Sequence, residues 1–246
     1  MRLQQYWKAL MFLIGGIIAL LLPVSMSGQV VSVPGTANLW LAGMPAGSRP
    51  GNLLASVPDS APAQSPILVP GSLVPGETLR FGATGLVTGI NGGLPALGPD
   101  GSFGGSLREG NGISGSTNWV DALVGVFLDS QQPDSTPAPA ELNFWPPASL
   151  NYEILSPELK QVFFIGDGLT SGGLSQGVVV PSGASRLYLG IFDLNGNYDN
   201  GGSFDVTVVP EPAPLILSVF ALLAGIIRYS HHRRFRMGRQ RSGSAR

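Results

Sequence analysis

Gly202-Ser203-Phe204-Asp205-Val206-Thr207-Val208 alternates apolar and polar residues, which sets Phe204, Val206 and Val208 on one face of an extended chain. A strand of this kind has one buried and one wet side, as in antiparallel sheets packed face to face. Moving toward the N-terminus, the same reading repeats. Leu187, Leu189 and Ile191 alternate, and Val178-Val179-Val180 runs into the turn Pro181-Ser182-Gly183. Gln161-Val162-Phe163-Phe164-Ile165 is apolar throughout its later part and ends at Gly166-Asp167-Gly168. Residues 122–128 form an uninterrupted apolar run suited to a strand buried on both faces. Thr78-Leu79-Arg80-Phe81-Gly82-Ala83 alternates after the turn Pro75-Gly76. Many short strands separated by Gly, Pro, Ser and Thr predict an all-β fold, an antiparallel β-sandwich.

Less of the chain has anchors for a strand. Ser156-Pro157-Glu158 reads as a helix start, with a cap and Pro in the first turn, and predicts a helix of one or two turns. Residues 92–115 and 131–147 read as Gly- or Pro-rich surface loops. Trp40 and Leu41 could begin a strand, whereas residues 42–62 look irregular. No internal repeat is visible.

Beyond the closing strand the character of the chain changes. Val209-Pro210-Glu211-Pro212 interrupts any regular element, because proline fixes its own backbone and lacks an N–H. Residues 213–227 are then uncharged and rich in Leu, Ile, Val and Ala, just short of the ~17–25 residues of a membrane-spanning helix. Arg228, Arg233, Arg234 and Arg236 begin a basic tail, and cationic flanks of a membrane helix stay on the cytoplasmic side. At the other end, Arg2 and Lys8 precede an apolar stretch over residues 9–24, followed by Ser25-Met26-Ser27-Gly28. That is the layout of a secretory signal peptide, with an uncleaved anchor as the alternative. The expected organisation is a signal peptide at 1–28, an exported domain at 29–208 and a membrane-directed segment at 209–246.

Pro-Glu-Pro, a short apolar helix and a terminal arginine cluster together resemble the PEP-CTERM sorting signal of exopolysaccharide-producing bacteria. The resemblance covers the last fifth of the chain and implies an exosortase partner, processing near Pro-Glu-Pro, and delivery to the cell surface or matrix. The tail is longer than the few arginines usual in that family. An ordinary C-terminal membrane anchor is the plainer alternative.

Composition excludes several functions. Between the terminal segments the bases are Arg49, Arg80, Arg108, Lys160 and Arg186, against fourteen acids, so a nucleic-acid partner is not expected. The chain has no cysteine, hence neither disulfide nor thiolate metal site. Its two histidines, His231 and His232, lie in the basic tail, which leaves no His-based triad or zinc site in the exported part. Two carboxylates would suffice for glycoside hydrolysis. Asp129, Asp134, Glu141 and Asp167 are available, but nothing in the sequence brings any two of them together. We therefore expect a non-enzymatic protein, with a polysaccharide-acting hydrolase as a remote alternative.

The chemistry concentrates in Asp193-Leu194-Asn195-Gly196-Asn197-Tyr198-Asp199-Asn200-Gly201-Gly202, between the alternating strands around Leu189 and Val206. Asp193, Asp199 and Asn200 offer side-chain oxygens, and glycines let the backbone fold inward. Calcium takes six to eight such oxygens, including backbone carbonyls. The spacing is not that of an EF-hand, and Asn, Asp and Gly also suit a plain hairpin loop.

Leu187-Tyr188-Leu189-Gly190-Ile191-Phe192-Asp193, then Asp199-Asn200-Gly201-Gly202-Ser203-Phe204, is similar to the end of the PA-I-type calcium-dependent, galactose-binding bacterial lectins. Pro75-Gly76-Glu77, Ala83-Thr84-Gly85, Gly98-Pro99-Asp100-Gly101, Ala122-Leu123-Val124 and Val180-Pro181-Ser182 follow the same order, so the resemblance starts at about residue 75. It implies one calcium between protein and sugar, with Asp193, Asp199 and Asn200 as side-chain ligands. Backbone carbonyls near Gly196 and Gly89 would complete the set. Asp199 stands where the family has an amide, and the loop is one residue shorter. Arg108 and Asn111 fall near the family's sugar-contacting His and Gln. The resemblance thus implies binding of galactose-like glycans or extracellular polysaccharide, and Trp119, Trp145 and Tyr198 are aromatics that could stack on sugar rings. The competing expectation is a structural biofilm or envelope protein whose calcium loop only stabilises the fold.

Overall fold

The computed structural model describes residues 28–52, 57–89 and 95–211. The expected signal peptide falls outside these but for Gly28, as do Pro212, the apolar run, and Arg228, Arg233, Arg234 and Arg236. Among the described residues no helix is long and apolar enough to cross a membrane. The compact unit that holds the described domain closes at Pro210.

The fold is all-β. In chain order the strands are β1 (Gln29–Pro34), β2 (Ile67–Leu68), β3 (Thr78–Thr88), β4 (Gly104–Leu107), β5 (Ser116–Trp119) and β6 (Leu123–Leu128). They continue with β7 (Leu142–Asn143), β8 (Ile154–Leu155), β9 (Phe163–Phe164), β10 (Gly177–Val179), β11 (Arg186–Ile191) and β12 (Gly201–Pro210). Among the described residues three sheets result, in the orders β1-β12-β3-β10-β8, β2-β11-β6-β9 and β4-β5-β7. Most pairings are antiparallel; β8 with β10 and β5 with β7 are parallel.

Strand β12 anchors the first sheet. It pairs with β1 on one side and with β3 along its whole length on the other, from Gly201 opposite Thr88 to Pro210 opposite Leu79. Phe204, Val206 and Val208 are fully buried, as their alternation requires. They share one core with Leu79 and Phe81 of the first sheet, and with Leu123, Phe127, Phe163, Leu187 and Leu189 of the second. Each fully buried side chain of this size contributes about 2 kcal/mol of transfer free energy.

Every residue of β6 is buried, for a reason the apolar run only half discloses. Leu123 and Phe127 face the shared core, while Val124, Val126 and Leu128 face a second cluster with Leu39, Trp40, Leu107, Ile113, Val162 and Phe192. That second cluster packs the third sheet and the segment after β1 against the outer side of β6 and β11.

Three expectations need correction. The helix predicted at Ser156-Pro157-Glu158 is absent. Glu158 N–H donates to Gln161 Oε1 at 2.9 Å, as at a helix start. Lys160 then adopts φ 65°, and its ammonium donates to the carbonyls of Thr136 and Pro137, so only a turn forms. The stretches 92–115 and 131–147 are not wholly loops, since they supply β4, part of the way to β5, and β7. Trp40 and Leu41 lie in a 3-10 turn, Leu39–Leu41, rather than a strand. Asn38 caps that turn by accepting from Trp40 N–H at 3.0 Å, and Trp40 Nε1 donates to Ser114 O at 3.0 Å.

Candidate functional site

The site grows from the ladder between β6 and β11. Their register pairs Ile191 with Leu123. Beyond both strands, Phe192 N–H donates to Ala122 O at 3.0 Å and Asp121 N–H to Phe192 O at 2.7 Å. Continued one step, this antiparallel register sets Asp193 opposite Asp121. Asp121 has φ 64°, a left-handed conformation that Asp tolerates better than most residues. Gly89 reaches the same place from the end of β3. Its N–H donates to the Asp121 carboxylate, and a Cβ on it would lie 3.1 Å from Asp121 Oδ2.

The loop 193–200 is held from behind by residues of the N-terminal third. Asp59 is fully buried and accepts three hydrogen bonds, from Asn197 N–H at 2.8 Å, Tyr198 N–H at 2.9 Å and Asn38 Nδ2 at 2.7 Å. Gly35 O accepts from both Asn197 Nδ2 and Asn200 Nδ2 at 3.2 Å. Asn197 Nδ2 also donates to Ile191 O at 3.1 Å. Gly196 has φ 94°, and a Cβ there would lie 3.1 Å from Val57 and 3.3 Å from Asp59 Oδ1. Only glycine fits this approach without strain. The segment that read as irregular is the cradle of the loop.

The electrostatics are one-sided. Asp121, Asp193 and Asn200 are 1%, 5% and 7% exposed. Burial, and then the charge of Asp193, push the Asp121 carboxyl up to about 6, against the N–H of Gly89. Asp193 is also pushed up by burial, with Asp199 and Asp59 adding to it. The Asn195 N–H, which donates to Asp193 Oδ1 at 2.8 Å, and the Asn200 side chain oppose the shift. The charges acting on this pair are thus other carboxylates. Two buried oxygens, Asp121 Oδ1 and Asn200 Oδ1, have no hydrogen-bond partner among the described residues. Such atoms cost about 1–3 kcal/mol each when left unpaired.

A cation would satisfy both deficits. Among the described residues no three His, Cys, Asp or Glu side chains gather closely enough to hold a metal by themselves. A shell here would therefore mix the carboxylates of Asp121 and Asp193 with the Asn200 amide and backbone carbonyls. That hard, all-oxygen mixture suits calcium. Asp199 is half-buried at the rim, and Tyr198 beside it is 44% exposed. Gly89, Asp193, Gly196, Asp199 and Asn200 thus belong to one end of the domain. Asp121 is the member that sequence reasoning missed: it stands alone between Val120 and Ala122, and only the ladder register reveals its partner.

The remaining candidates separate. Arg108 is exposed just past β4. Asn111 donates through Nδ2 to Trp40 O and Arg49 O, both at 2.8 Å, so its amide nitrogen already serves the fold. It lines a hollow of about 530 Å³ whose walls contain none of Asp193, Asp199 or Asn200. Asp167 has a carboxylate neighbour, Asp100, whose Oδ1 accepts from Asp167 N–H at 2.9 Å. Of the residues expected to form a sorting motif, Val209 pairs with Arg80 and Pro210 with Leu79 at the end of β12, and Glu211 follows. Among the described residues there is no histidine.

No protein-family model matches the chain, and no curated protein matches it.

Proposed function

We propose that this chain is an exported, non-enzymatic β-sandwich protein that holds calcium at the end of its β6–β11 ladder and binds glycans through that ion. The observation that carries the reading is the buried facing pair Asp121 and Asp193, acted on by further carboxylates, with unpartnered oxygens on Asp121 and Asn200. Calcium supplies charge neutralisation there and offers open coordination positions to hydroxyl groups; Asp193, Asp199 and Asn200 orient it, and Asp59 fixes their loop. Arg108, and Asn111 through its remaining oxygen, would contact sugar only if a glycan extended from the loop toward β4.

Export rests on the two terminal segments. The likeness of residues 209–246 to a PEP-CTERM signal supports insertion into the bacterial cytoplasmic membrane, recognition by an exosortase, and release to the surface or exopolysaccharide matrix.

A second reading has its own support. Asp121, Asp193 and Asn200 are so deeply buried that the ion could serve chiefly as an internal staple of a structural envelope protein. A glycan array probed with the full-length protein, with and without a calcium chelator, tests the choice. The glycan reading expects sugar signals that chelation and Asp193→Ala both remove. Sugar signals equal in the variant and the wild type would refute it.

A further inference from the structure

A second hollow, of about 610 Å³, lies apart from the calcium loop; none of Asp121, Asp193, Asp199 or Asn200 lines it. Three segments close around it: the end of β9 at Phe164, the 3-10 turn Pro147–Leu150 with Asn151, and the tight loop after Asp167. Its size is that of a small-ligand site.

The lining has a definite chemistry. Trp119 forms part of the wall. Trp145 stands against Trp119 with ring centroids 5.8 Å apart and is 49% exposed. Trp145 fits against Trp119 because residue 104, paired with Trp119 across the sheet, is glycine: a Cβ there would lie 2.5 Å from the Trp145 ring. Two carboxylates face the same space, each aimed by a backbone amide. Asp100 Oδ1 accepts from Asp167 N–H at 2.9 Å, and Asp167 Oδ1 accepts from Leu169 N–H at 2.8 Å. The second oxygen of each carries no hydrogen bond within the described residues. Asn151 and Thr170 add polar atoms, and among the described residues no Lys, Arg or His lines the space.

The Trp119 ring beside fixed acceptors is complementary to a sugar ring. The apolar face of the ring stacks on the indole, and its hydroxyls donate to the carboxylates. Two carboxylates without a counter-charge repel acidic sugars and favour neutral or amino sugars. We infer that the cleft between Trp119, Asp100 and Asp167 is a calcium-independent binding site for non-acidic saccharides.

Isothermal titration of the full-length protein tests this, using cellobiose, the glucosamine dimer of chitosan, and a glucuronic-acid-containing disaccharide of the same linkage. The expected result is saturable binding of cellobiose or the glucosamine dimer below about 10 mM, no binding of the acidic sugar, and no change on chelation. Trp119→Leu removes the stacking face and stays apolar. It should weaken binding by about tenfold, with a cooperative melting curve showing that the variant is folded. Asp167→Asn, which retains the acceptor for Leu169 N–H, should weaken it as well. The inference is overturned if neither sugar binds, if the acidic sugar binds equally, or if both variants bind as wild type. Binding abolished by the chelator would also overturn it and assign the sugar to the calcium loop instead.

Discussion

Asp121→Asn makes the strongest demand on this reading, because it should raise stability without calcium and lower the benefit of adding it. The folded protein holds the Asp121 proton up to about pH 6, whereas the usual value for an Asp is 3.8. Between those values the folded state binds more protons than the unfolded one, so stability falls as pH rises. Above pH 6 the penalty is complete, and the span corresponds to about 3 kcal/mol. Water at the end of the sheet screens part of it, leaving roughly 1–3 kcal/mol at neutral pH. Asparagine is nearly isosteric, tolerates the left-handed backbone and does not ionise. The calcium-free variant at pH 7.5 should therefore melt higher than wild type, by ~2–4 °C for each kcal/mol recovered. At pH 4 the two should nearly coincide. Calcium binding only the folded state should restore the wild type, and the variant, short of one carboxylate, should gain less from it. Thermal melts followed by circular dichroism at pH 4 and 7.5, with chelator and with calcium, supply all the comparisons. Equal melting of the calcium-free proteins at pH 7.5, together with equal gains from calcium, would refute the reasoning.

Other outcomes follow from the same geometry. Asp59→Ala strands the N–H groups of Asn197 and Tyr198 and the Asn38 amide, and should cost about 3 kcal/mol or more in chemical denaturation while weakening calcium binding. Gly196→Ala must adopt φ near 94° against Val57, and a loss of about 1–3 kcal/mol in the same assay is expected. Deleting residues 233–246 should alter membrane orientation or retention in cell fractionation while leaving the melting of the domain over residues 29–208 unchanged.

The sequence reading succeeded where local pattern carries the structure. Period two in β12 and β11, and the apolar run in β6, were legible because burial of one or both faces dictates side-chain chemistry. The third sheet was not, since β4 is Gly104-Gly105-Ser106-Leu107 and pairs through its backbone with no periodic apolar face. Glycine there serves Trp145 and Leu194, contacts that no linear spacing announces. The helix at Ser156 failed because a distant ammonium interaction and a left-handed Lys160 outweighed a good local start signal. At the site, the Asp193–Asn200 loop stood out by composition. Asp121 and Asp59 did not, as each is a single acid whose role depends on register and on contacts more than seventy positions away.

The central claim is a divalent ion coordinated by the facing pair Asp121 and Asp193. Native mass spectrometry of the full-length protein from calcium-containing buffer addresses it most directly. A single calcium on the wild type, absent from Asp193→Ala and reduced in Asp121→Asn, is the predicted result. A wild type without bound calcium, or the same occupancy in all three proteins, would contradict it.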